Sequence, residues 1–145
     1  DQLLELIATH DLVILDRYVA SNIAYNAAKV PVDERSELIT WIEQLEYGQF
    51  DLPRPDLTLL LATSTALADQ LVGQKAARSY TDDARDLHEA NRDFLSIVAD
   101  VYGSLAKAGG DRWLRVEPLD ADGNLCPPAD IAATVWQHPS LAALG

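Results

Sequence analysis

The chain has 145 residues, 48% of them hydrophobic and 23% charged, which is the size and composition of one ordinary domain with a buried core. Its net charge is −12, with only 11 Lys and Arg scattered along it, so a phosphate-tracking nucleic-acid surface is not expected. A single cysteine excludes an internal disulfide and fits a reducing cytoplasm, and no apolar run approaches the ~20 residues that span a bilayer.

In chain order, "DQLLELIATH" carries apolar residues at 3, 4, 6 and 7 and reads as a helix. With no methionine anywhere and Asp at position 1, the chain is expected to be a piece of a longer protein. "DLVILD", Asp11 to Asp16, is a continuous apolar run of the kind that forms a strand buried on both faces of a parallel sheet. Residues 18 to 25 continue as a helix. Residues 32 to 49 place Leu38, Trp41, Ile42 and Leu45 at helical spacing. The prolines of "DLPRPD" mark a connection before a second buried-strand run, "DLTLLLA", Asp56 to Ala62. A helix is expected over 64 to 73, ending at Gly73, and a long one over 83 to 107 with Leu87, Phe94, Val98, Val101 and Leu105 on its apolar stripe. "RWLRVEP", Arg112 to Pro118, reads as a third strand, residues 118 to 130 as a surface connection, and "PPADIAATVWQ" as a last helix with proline in its first turn. Trp41, Trp113 and Trp136 lie on apolar faces and are expected to pack. Strands alternating with helices predict an α/β parallel sheet flanked by helices, and three strands are few for such a sheet.

The chemistry concentrates in "DRYVASNIAY". In open parallel sheets, ligands bind beyond the carboxyl ends of the strands, and Asp16 and Arg17 follow the first strand run. Tyr18, Ser21, Asn22 and Tyr25 are spaced i, i+3, i+4, i+7, one stripe of a helix. Together with Arg17 they can hold a flat polar ring by stacking and hydrogen bonds, with a phosphate on the guanidinium. A helix cap with an ion-paired Arg, and a solvated helix face, account for the same residue types. His10, His88 and His138 show no metal-ligand spacing, so any Mg²⁺ is expected to be held mainly by phosphates and waters.

The string "DRYVASNIAY" resembles the Asp-Arg-Tyr/His motif and following helix of thymidylate kinases, and "DRYVASN" is closest to their actinobacterial branch. "WIEQLEYGQFDLPRPDLTLLLATS" is similar to that family's next helix, turn and strand, and an Arg-containing stretch before a helix ending in "VYGSLA" is similar to its lid and post-lid helix. The resemblance runs from about residue 10 to 117. It implies a three-layer P-loop NTPase-type fold over residues 1–145, a candidate lid at 73–88, ATP as phosphoryl donor with Mg²⁺, dTMP as acceptor, and a homodimer. By the resemblance, Arg17 contacts the acceptor phosphate, Ser21 and Asn22 the thymine side, and Tyr25 the sugar. Asp16 organises the Mg²⁺ and phosphate region, and Arg78 and Arg85 are the candidate lid arginines. Two features depart from the family. The 145 residues contain no Gly-x-x-x-x-Gly-Lys-Ser/Thr string, so this chain alone is expected to be inactive, and "ARSYTDDARDLHE" lacks the usual lid pattern. Another deoxynucleoside or nucleotide kinase of the same architecture, or a non-catalytic nucleotide-binding or interaction domain, remains as an alternative.

Overall fold

The computed structural model describes residues 2–63, 67 and 82–142. Among them the elements are α1 (Gln2–Thr9), α2 (Val19–Ala27), α3 (Arg35–Glu43), β1 (Thr58–Leu61), α4 (Asp82–Gly109), β2 (Trp113–Val116), α5 (Pro128–Trp136) and α6 (Pro139–Ala142). The helix expected over 64 to 73 lies outside the described residues apart from Leu67. So do residues 73–81 of the candidate lid, and residues 82–88 form the start of α4.

β1 and β2 pair in parallel, with Thr58 opposite Trp113 and Leu61 opposite Val116. The connection between them passes through α4, the long crossover a parallel pair requires. α4 and α5 both pack on β2. The burial of β1 alternates, and Leu59 and Leu61 are exposed, so this run is not buried on both faces as its continuous apolar character predicts. The first strand run is a larger correction. Residues 11–16 form no strand, and Ile14 is 81% exposed. A strand exists through the backbone partners a neighbour supplies. Among the described residues β1 and β2 pair only with each other, and Leu12 to Leu15 have no ladder to join.

The core is built around α2. Val19 and Ile23 pack with Ile42 of α3, while Ala24, Ala27 and Ala28 pack with Val98 and Val101 of α4. The alanines let α2 and α4 approach closely, and each buried Val or Ile contributes roughly 1.5–3 kcal/mol. Two apolar faces on one short helix explain why α2 is wedged between α3 and α4, with its polar positions left at the margins. The tryptophans do not all pack. Trp41 and Trp136 are 58% and 53% exposed, because each lies on the side of its helix that no described element covers. Trp113 is half-buried at the start of β2, and its ring lies against the backbone of Gly109. A Cβ on Gly109 would stand 2.0 Å from the ring, so only glycine fits where α4 turns into the sheet.

Candidate functional site

α3 does not stop at Glu43. It widens into a π-helical turn, Gln44–Gln49, which ends where Asp51 adopts φ 51°. That turn and the following loop bring Glu46, Tyr47 and Pro53 against the first half of α2 and its N-terminal flank, with Arg54 over the Tyr47 ring. Tyr18 precedes α2 in extended backbone, and its hydroxyl donates to the Pro53 carbonyl at 3.1 Å. Burial pushes the Tyr18 hydroxyl pKa up, and the Glu46 carboxylate adds to the rise. Tyr47 is raised chiefly by burial too, against the lowering effect of Arg54, whose guanidinium lies 4.1 Å from the centre of the Tyr47 ring. Both phenols are therefore neutral donors at physiological pH.

The other side of the helix start is set by Arg17. Its backbone is left-handed, φ 66°, which costs a residue with a Cβ roughly 1–2 kcal/mol. This conformation brings the exposed guanidinium over the Tyr25 ring, 5.4 Å from its centre, two turns along α2. Tyr25 in turn meets Phe94 of α4 edge-on, with ring centres 6.0 Å apart and planes at 64°. A guanidinium stacked on a phenol keeps its N–H fork free to meet a phosphate or carboxylate in two-pronged fashion.

The sequence stripe is thus two rows. Arg17 and Tyr25 stand on the α4 side with Phe94 behind them. Tyr18 and Asn22 stand on the α3 side, where Asn22 Nδ2 donates to Glu46 Oε1 at 2.5 Å and Tyr18 is bonded to Pro53. Ser21 is half-buried in the turn between Arg17 and Tyr25, and Asp16 is exposed beside Arg17. Arg78 lies outside the described residues. Arg85 falls within α4, and the described side chains of that helix begin at Asn91. Sequence reasoning passed over Glu46, Arg54 and Phe94 as site neighbours. Phe94 had a signal, since it follows the apolar stripe of the long helix, but the π-helical turn that delivers Glu46 has none in residue spacing. Among the described residues no three His, Cys, Asp or Glu side chains stand together as a metal site. Asp16 remains as an exposed hard oxygen donor next to the exposed Arg17, a donor type that fits a cation held mainly by phosphates and waters.

Two parallel strands with a helical crossover define an α/β protein, and its α2 start presents an exposed guanidinium over a phenol ring. A family model described as thymidylate kinase matches residues 2–120. Two curated relatives named thymidylate kinase, from Mycobacterium tuberculosis strains CDC 1551 / Oshkosh and ATCC 25618 / H37Rv, are each 38% identical over 124 residues. The match covers 82% of this chain and 58% of each relative, so the chain spans under two-thirds of the length of the curated relatives it matches. The chain belongs to the thymidylate kinase family. Membership brings the P-loop NTPase fold, with which the parallel pair and its flanking helices agree.

Proposed function

We propose that the whole protein transfers the γ-phosphoryl of ATP to dTMP, giving dTDP, and that residues 16 to 25 form part of its acceptor site. The observation that carries this reading is Arg17, held in a strained left-handed backbone with its guanidinium stacked on Tyr25. Strain of this kind persists where the surrounding structure fixes a functional geometry. In this reading the guanidinium fork takes the acceptor phosphate, Tyr25 lies along the deoxyribose, and Ser21 and Asn22 meet the thymine edge. Tyr18, with its hydroxyl committed to Pro53, offers the base its ring edge.

The acceptor phosphate is already an anionic nucleophile and needs no strong base. Rate acceleration then comes from alignment and from neutralising charge. Arg17 lowers the repulsion between the two phosphate groups as they meet. Asp16 would hold Mg²⁺ through oxygen and water, and the ion supplies charge neutralisation on the nucleotide phosphates. Arg78 and Arg85 are proposed to close over the transferred phosphoryl group. No helix among the described residues is long and apolar enough to cross a membrane. A cytoplasmic location is proposed from the single cysteine, Cys126. A homodimer formed through the α3 face is proposed from the exposed Trp41 and Val32; light scattering on Trp41→Glu, expected to be monomeric, tests it.

The test of the activity is ADP release by the whole protein with ATP, Mg²⁺ and dTMP. Absence of dTMP-dependent release would sink the proposal. The 145-residue chain by itself, lacking the glycine-rich lysine loop string, is expected to give none.

A further inference from the structure

Along the α3 side of α2 runs a chain of side-chain hydrogen bonds with a direction. Lys29 Nζ donates to Asn26 Oδ1 at 3.4 Å. Asn26 Nδ2 donates to Asn22 Oδ1 at 2.6 Å and also to the Asn22 carbonyl at 2.9 Å. Asn22 Nδ2 donates to Glu46 Oε1 at 2.5 Å. An asparagine amide has a donor end and an acceptor end of nearly equal shape, and a free one turns over to suit its partner. Here the chain begins on an ammonium, which only donates, and ends on a carboxylate, which only accepts. The backbone carbonyl of Asn22 likewise only accepts. Neither amide can reverse without setting two acceptors or two donors face to face.

We infer that Glu46, with Asn26, is a positioning device that fixes which way the Asn22 amide points and thereby sets base selectivity. The inference rests on the proposed reading of Asn22 as a base contact. In the fixed orientation Asn22 keeps one lone pair on Oδ1 and one hydrogen on Nδ2 for a ligand. Thymine offers a complementary pair in N3–H and O4, a donor beside an acceptor. Cytosine seated in the same place offers the reverse, N3 as acceptor beside the N4 amino donor, and must shift or meet a turned amide to pair. Locking the amide therefore favours thymine over cytosine, although Glu46 touches neither base. The π-helical turn is what makes this possible, because it places Glu46 on the α2 side of its helix.

The test is Glu46→Gln in the whole protein. Glutamine keeps the size and a hydrogen bond to Asn22, but it can accept or donate, so the direction is no longer imposed. Steady-state kinetics with dTMP and dCMP should show the kcat/KM preference for dTMP falling at least about fivefold, the equivalent of one net hydrogen bond. The KM for ATP should stay unchanged, and Glu46→Asp, again a pure acceptor, should restore most of the preference. A wild-type preference in Glu46→Gln overturns the inference. The reading beneath it fails separately, if Asn22→Ala leaves kcat/KM for dTMP unchanged. Should Glu46→Gln not fold, Asn26→Asp replaces it: a carboxylate there cannot donate to Asn22 Oδ1 and draws Nδ2 away from Glu46. The preference must then fall, and an unchanged ratio counts against the inference equally.

Discussion

Arg17→Gly separates the cost of the site from its use. Three terms bear on stability. The left-handed φ of 66° is free for glycine, which returns roughly 1–2 kcal/mol. Loss of the Arg17–Tyr25 contact removes about 0.5–1 kcal/mol, the range for an exposed cation–π pair. The added freedom of glycine in the unfolded chain costs a further ~0.5–1 kcal/mol. These nearly cancel, so the urea midpoint should move by no more than the equivalent of about 1 kcal/mol. Activity has no such compensation. Deleting one preorganised donor on a reacting oxyanion costs roughly a hundredfold or more, about 2.7–4 kcal/mol. Urea denaturation and steady-state dTMP kinetics on the same preparation of the whole protein give both numbers. Full activity in Arg17→Gly refutes the phosphate role, and a stability loss above about 2 kcal/mol means that Arg17 supports the fold through more than its contact with Tyr25.

Gly109→Ala should destabilise by about 2 kcal/mol in urea denaturation, since the overlap with the Trp113 ring, ~3 kcal/mol at the upper range of overpacking, outweighs the ~1 kcal/mol that alanine gains in a helix. The double variant with Trp113→Val should recover most of that loss, and failure to recover would place the strain elsewhere. Tyr25→Ala should weaken dTMP binding and lower the preference for dTMP over its ribonucleotide, a discrimination of about a hundredfold at most for one hydroxyl; an unchanged preference would remove Tyr25 from the sugar. Asp120 accepts from the backbone N–H groups of Asn124 and Asp122, chiefly the former, which holds its carboxyl below the usual carboxylate range. Its folded value being depressed, the turn it closes is fully supported above the unfolded value near ~4 and loosens as pH falls through the folded one. Protection of the Gly123 amide, its exchange rate relative to the intrinsic rate at each pH, should fall in acid, and Asp120→Asn should abolish that pH-dependent loss.

The apolar periodicity over 32–49 and 83–107, and the first-turn proline of "PPADIAATVWQ", made α3, α4 and α5 legible in the sequence, because stripes and helix-start signals are local properties of the chain. The parallel pairing of β1 with β2 followed from strand runs separated by helix patterns, and "DRYVASNIAY" carried the family. What stayed hidden depends on partners far apart in sequence. Residues 12–15 look like a strand to any measure of local apolarity, yet a strand is a relation between two segments, and here none pairs with them among the described residues. Trp41 and Trp136 sit on apolar stripes, but whether a stripe is covered is settled by what packs on it. The stripe from Tyr18 to Tyr25 was visible as a set of positions. Its division into an Arg17–Tyr25 row against Phe94 and an Asn22 row against Glu46 was decided only when α2 wedged between two helices, one of them widened by a π-helical turn that residue spacing does not announce. Sequence fixes which chemical groups a helix face can offer; the neighbours that tertiary packing delivers fix which way each group points.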